Sequence, residues 1–220
     1  MKVTEAFTDE KTIALVTAAE RGDVDGVHAA VLSGADPNAR GKNNETPLLL
    51  LLGSTVNKSG LAALLSEGAN PNTPSTRGIA PLTLVARAKD PELLRIMIRG
   101  GGNPNLKGSA GEPLIWLAAE EGSWDNVELL LKSGADINAI NPMGYTTTMN
   151  MAILQHYDRV VWLIERGADM RVMSRSGVSL AVLIANDRVQ LGSPQYPWRQ
   201  KIVDLLVAKG LMAPAPQSHK

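Results

Sequence analysis

The chain contains no cysteine, which excludes disulfides, thiolate zinc sites and a cysteine nucleophile and leaves the redox compartment open. Aromatic residues are also scarce: one Phe, three Tyr and four Trp in 220 residues. With Ala and Leu plentiful, that shortage favours tightly packed helices over a sandwich or barrel. No charge of either sign is in excess, since 22 basic residues face 22 acidic ones. A nucleic-acid binder draws its affinity from a basic excess, so nucleic acid is not an expected partner. Long apolar runs are missing too. Runs such as Leu48 to Leu52 fall far short of the eighteen or so residues that a membrane-spanning helix needs. The first residues, Met1 to Phe7, lack the apolar centre of a secretory signal. Two expectations follow: a cytosolic protein, or a mature fragment from which a signal peptide has been removed.

What is present is a repeat. Ser33-Gly34-Ala35-Asp36-Pro37-Asn38 returns as Glu67 to Asn72, Gly100 to Asn105, Ser133 to Asn138 and Arg166 to Arg171, at a spacing of 33 or 34 residues. A sixth, eroded copy stands at Lys209-Gly210-Leu211-Met212. An apolar pair precedes the glycine in most copies: Leu64-Leu65, Met97-Ile98, Leu130-Leu131, Leu163-Ile164 and Leu206-Val207. The pattern predicts a helix that ends at glycine, followed by a turn in which Asp and Asn satisfy nearby backbone groups. A second glycine position follows at Gly78, Gly111, Gly144 and Gly177, with Asn44 in the same place of the second repeat. A new helix then opens at Thr46-Pro47-Leu48 and Ala80-Pro81-Leu82, where Thr can cap and Pro suits the first turn. Thr8-Asp9 predicts the first N-cap, and Val189 to Gln200 reads as an insertion between the last two helices. The tail at residues 214–220 is expected to be disordered.

These residues resemble the ankyrin-repeat family, whose marks are a Thr-Pro-Leu-His opening, a Gly-Ala-Asp close and a 33-residue period. The resemblance covers roughly residues 9 to 212. It implies an all-α chain: an ankyrin-repeat solenoid of about six helix-turn-helix repeats with β-hairpin-like fingers, in a single domain over residues 1–213. Departures exist. The family's His is replaced by Leu49, Thr83, Trp116, Met149 and Val182, Pro113 comes one position early, and Thr147 and Leu180 stand where Pro is usual.

Candidate chemistry is thin. His28, His156 and His219 show no zinc-ligand spacing, and no Gly-x-Ser-x-Gly elbow is present. Glu120 and Glu121 are adjacent on a helix and do not face each other, so paired acid and base work is not expected of them. Gly100-Gly101-Gly102 lacks the Lys-Ser/Thr of a phosphate loop. Asp187, Arg188 and Tyr196 are the only raw materials for an active site in the insertion. The expectation is a protein with no catalytic residues, no metal, no cofactor and no small-molecule substrate. Trp162 shares the register of Leu129 and Ile96 and is expected in the core.

Surface is what remains. In the family, finger tips and the exposed side of each first helix line a concave binding face. Carried onto this chain by register, that face draws Lys42, Arg77, Ile79, Lys107, Glu112, Met143 and Tyr145 from the fingers. Its helices contribute Arg87, Trp116, Glu120, Glu121, Ile153 and Leu154. Trp116 stands on the groove side, able either to anchor a partner or to pack against a neighbouring repeat.

Within the family, two segments resemble bacterial ankyrin-repeat immunity proteins of type VI secreted phospholipase effectors. They are Phe7-Thr8-Asp9 with Ala18 to Asp23, and Trp198 to Val203. That resemblance implies a periplasmic inhibitor, monomeric alone and heterodimeric with the effector, which covers the lipase's active-site entrance. The alternative is a cytoplasmic scaffold or adaptor with another protein partner.

Overall fold

In the computed structural model, residues 2–54, 56–187 and 189–213 are described. The expected tail at 214–220, with His219, lies outside them, as does Arg188. The chain divides into two compact units, Met1–Ala135 and Asp136–Lys220.

The first unit holds a short helix α1 (Val3–Ala6) and four helix pairs: α2 (Glu10–Arg21) with α3 (Val24–Leu32), α4 (Pro47–Leu52) with α5 (Lys58–Ser66), α6 (Pro81–Arg87) with α7 (Pro91–Arg99), and α8 (Leu114–Glu120) with α9 (Trp124–Lys132). The first members α2, α4, α6 and α8 pack in one row, and the second members α3, α5, α7 and α9 pack in another. Each start has a local cause. Asp9 caps α2, its carboxylate accepting from the Thr12 N–H at 2.9 Å, and Thr46 caps α4 through the Leu49 N–H. Pro47 and Pro81 occupy first-turn positions, where an N–H has no intrahelical partner. Pro113 sits one residue outside α8, which accounts for its early place in the sequence. α1 was not foreseen. It brings Phe7 into a cluster with Ala6, Val16 and Leu50 that closes the start of the unit.

The closing apolar pairs divide labour. Leu64, Met97 and Leu130 are fully buried, while Ile98 and Leu131 beside the last two are half-buried. Where α5 crosses α2 the backbones nearly touch: a Cβ on Gly60 would stand 1.8 Å from the Ala19 carbonyl oxygen. Only glycine fits that crossing.

The turns join repeats rather than only themselves. Asn38 accepts from the Asn70 N–H at 2.7 Å and donates its amide to the Gly68 carbonyl at 2.8 Å. Asn72 does the same with Asn103 and Gly101, at 2.8 and 2.9 Å, and Asn105 donates to Gly134. The Asp or Asn two residues earlier closes the local turn, as Asp36 does on the Asn38 N–H. Each repeat is thereby tied to the next by side-chain to backbone bonds. Asn126, almost wholly buried on α9, adds a further tie by donating to the Val85, Ala86 and Ala88 carbonyls at the end of α6.

The second unit contains two pairs, α10 (Thr147–Ile153) with α11 (Tyr157–Glu165) and α12 (Leu180–Asn186) with α13 (Tyr196–Ala208). Thr146 and Ser179 cap the first helices, so Thr147 and Leu180 fill the usual Pro position without loss of the cap. The ladder of turns ends here. Asn138 accepts from the Asp169 N–H at 2.8 Å, but Arg171 stands in the next Asn position and its side chain has no acceptor.

The expected insertion is shorter than the sequence implied. Residues 196–200 belong to α13, which at 13 residues is four longer than each other second helix; of the described residues before it, 187 and 189–195 lie outside helices. Side chains at this junction cap other elements. Gln195 accepts from the Tyr157 and Asp158 N–H groups at 2.9 and 3.3 Å, serving α11, whose own N-cap His156 makes no side-chain cap bond. Arg199 donates to the Ile184 and Asp187 carbonyls at the end of α12. Trp162 is not core as expected: it is half-buried, with the Arg166 guanidinium 3.6 Å from its ring centroid.

Candidate protein-binding surface

Five fingers project before the first helices, and one bond pattern builds them all. The backbone N–H of Gly41, Ser75, Gly108, Asn141 and Ser174 donates to the carbonyl four residues on, at Glu45, Ile79, Glu112, Tyr145 and Val178. The residue before each closing position has positive φ: Gly78, Gly111, Gly144 and Gly177, with Asn44 at φ 60° in the second repeat. Asparagine tolerates that region better than other residues with a Cβ. Isolated bridges Lys107 to Pro113, Ile140 to Thr146 and Met173 to Ser179 close three of the fingers. Fingers are therefore hairpin-like without becoming a sheet.

In the first unit, fingers and first helices enclose two adjoining clefts. One, of about 210 Å³, is lined by Glu45, Leu49, Ser75, Arg77, Ile79 and Leu84 among others. The other, of about 270 Å³, is lined by Ile79, Thr83, Leu84, Arg87, Ser109, Glu112 and Leu117 among others. Ile79 and Leu84 border both. Four sequence-predicted residues meet here: Arg77, Ile79, Arg87 and Glu112. Two of the arginines in the neighbourhood are paired. Arg77 approaches Glu45 at 3.7 Å, and Arg87 holds Glu121 with two of its guanidinium nitrogens. Lys89 donates to the Glu121 carbonyl, so this helix end is fixed from two sides. Lys42 sits in a 3-10 turn (Lys42–Asn44), and Lys107 on the bridge to Pro113; both are exposed but line neither cleft. Glu120 is exposed at the end of α8.

Trp116 is a correction. At 8% exposed it is no half-exposed anchor. It occupies the family-His register, and that register turns inward: Leu49 and Thr83 are buried beside the following finger, each lining one cleft. Thr83 keeps a hydrogen bond there, donating to the Ala80 carbonyl at 2.7 Å. Leu84, exposed and central to both clefts, was missed by the sequence reading. Its signal was position: two residues beyond the fully buried Leu82, it lies on the other side of the helix.

In the second unit the same registers carry Met143, Tyr145, Ile153 and Leu154. Met143, Ile153 and Leu154 are exposed and Tyr145 is half-buried. His156 is exposed and caps nothing, while His28 meets Glu67 at 2.9 Å on the outer helices. Among the described residues no group of three His, Cys, Asp or Glu could hold a metal ion. No described helix is long and apolar enough to cross a membrane.

Stacked helix pairs, bridged fingers and a cleft-bearing face between them define a helical repeat protein. The chain belongs to the ankyrin-repeat family. The family model described as ankyrin repeats (3 copies) matches residues 52–141 and 82–174, which together span more than half of the chain. Ankyrin repeats act as protein-binding scaffolds, and the family is typically non-enzymatic. Among curated proteins, no sequence matches this chain. A solved structure described as EF0377, an ankyrin repeat protein, is similar at 25% identity and a TM-score of 0.71, over 90% of this chain and 98% of that one. The ankyrin repeat domain of Bcl-3, described as a unique member of the IkappaB protein family, is similar in fold. It has 24% identity and a TM-score of 0.66, with 76% of each chain covered.

Proposed function

We propose that this protein is an immunity protein: it binds a type VI secreted phospholipase effector and inhibits it by covering the entrance to the lipase active site. The observation that carries the binding part is the pair of clefts at Ile79 and Leu84, rimmed by Arg77, Arg87 and Glu112. Apolar floors with charged rims suit protein contact, the apolar part supplying affinity and the charges supplying steering and register. The choice of effector rests on the resemblance at Phe7 to Asp9, Ala18 to Asp23 and Trp198 to Val203. In this reading the protein works in the periplasm, on its own as a monomer and with its target as a heterodimer. It performs no chemistry; blocking access is sufficient.

The test is an assay of any lipase effector whose gene is found to adjoin this one, with and without the purified chain. The expected outcome is inhibition that is complete at one chain per enzyme, with no lipase or esterase activity from the chain itself. An effector that neither binds nor loses activity would remove the immunity reading and leave a scaffold for some other protein. Turnover that persists through purification of the chain would remove both.

A further inference from the structure

Repeat register allows the two units to be compared position by position. Arg77 of the first unit corresponds to Met143 of the second, Lys107 to Ile140 and Met173, Glu112 to Tyr145 and Val178, Glu120 to Ile153 and Glu121 to Leu154. In each of these pairs a charge gives way to an apolar or aromatic side chain, while the last repeat carries Ser176, Asn186 and Asp187 at three of the five registers. The exchange is not compensated by burial: Met143 is 62% exposed and Met173 61%, with Ile153, Leu154 and Val182 also exposed. Val182 is the one member of the inward-turning register that is open, because no finger follows α12 among the described residues.

These side chains are neighbours within the second unit. The Arg175 N–H donates to the Met143 carbonyl at 3.1 Å, joining the two finger tips. Met173 bridges to Ser179, the cap of α12, and Val182 lies in the first turn of that helix. Ile153 follows Met149 by one turn on α10 and Leu154 is its C-cap, and Gln155 next to it bonds Asp187 at the end of α12. Across fingers 140–145 and 173–178 and helices α10 and α12 there is a single charged residue, Arg175. Its side chain is exposed and makes no ion pair among the described residues.

We infer that this patch is a separate subsite that takes an apolar segment of a protein partner carrying a carboxylate opposite Arg175. Exposed apolar clusters of this kind mark contact surfaces, and two flexible thioethers at the tips let the patch mould itself to a partner. The lone unpaired guanidinium sets the sign of what it meets, and its planar fork matches a carboxylate. One cation is too few for an anionic lipid surface, which calls for a polybasic cluster beside the apolar group. The inference deepens the proposed binding role and rests on it for the face used, not for the identity of the effector.

The experiment selects random linear peptides, displayed on phage, against the full wild-type chain, then measures synthetic copies of the enriched peptides by fluorescence titration. Enriched peptides are expected to combine apolar side chains with at least one Asp or Glu. Their binding is expected to weaken about tenfold or more on Met173→Ser or Arg175→Glu, and to be unchanged on Arg95→Glu on α7 of the first unit. Circular dichroism and melting of the variants check folding, which these exposed positions should leave intact. The inference is overturned by an empty selection, by enriched peptides without acidic residues, or by equal binding to Arg175→Glu. It is also overturned if Met143→Ser and Met173→Ser abolish binding to phosphatidylglycerol vesicles or self-association instead. Peptide binding as expected with no lipase bound would keep the subsite and remove the effector assignment; the reverse would do the opposite.

Discussion

Asn72 shows how much one side chain can organise. It accepts from Asn103 and donates to Gly101, so a single amide fastens one repeat to the next. The bonds lie near solvent, and water can replace part of what is lost. Asn72→Ala is therefore expected to lower stability by about 1 kcal/mol, read from urea unfolding, whereas Asn→Ala at a site without such bonds would change little. Trp116 belongs to the same scale with a different outcome. Because it is buried, Trp116→Ala should cost about 3–5 kcal/mol of unfolding free energy. Carboxylates give a third test. Asp90 accepts from Lys58 and from the Glu92 N–H, and these hold its pKa below the ordinary carboxylate value. The sign follows from linkage: with a lowered folded pKa, the contribution is fully present above the unfolded carboxylate range and is lost as pH falls through the lowered value. Asp90→Asn should make the melting temperature fall less steeply on acidification than in the wild type.

At the scale of elements, α11 and α12 depend on side chains from the start of α13 and the residue before it. Gln195 supplies the N-terminal cap that His156 does not give α11, and Arg199 occupies the C-terminal carbonyls of α12. Gln195→Ala is expected to destabilise the second unit by about 1 kcal/mol, the usual size of a lost cap, and to raise amide exchange at Tyr157 and Asp158 first. Unchanged exchange at those two amides would show that Gln195 does not serve as a cap. The sequence made the repeat legible because each mark has a local cause. Positive φ selects Gly or Asn, Pro suits the first turn, and a buried Leu or Met must return on the same helix face. It could not show Gln195 capping a helix 38 residues away, a bond that has no period, and the recurrence of Asn38, Asn72, Asn105 and Asn138 did not say that their side chains reach the next repeat. For the same reason it located Arg77, Ile79, Arg87 and Glu112 by register yet misjudged Trp116. Register gives the face of a helix, but whether a finger covers that face is a matter of packing.

For the molecule as a whole, the proposed binding role has a protein partner held by finger and first-helix residues, with the outer helices only supporting them. The sharpest measurement is a calorimetric titration of the proposed lipase effector with three variants: Arg87→Glu, Tyr145→Ala and, on outer helix α7, Arg95→Glu. Arg87→Glu sets like charge against Glu121 on the rim of the larger cleft, and Tyr145→Ala removes a half-buried ring from a finger. Each is expected to weaken binding by about 2 kcal/mol or more, close to thirtyfold, as contact anchors do. Arg95→Glu, which breaks only an exposed pair with Glu92, should bind like wild type. Wild-type affinity in both Arg87→Glu and Tyr145→Ala, together with loss of binding in Arg95→Glu, would contradict the account and move the partner to the outer face.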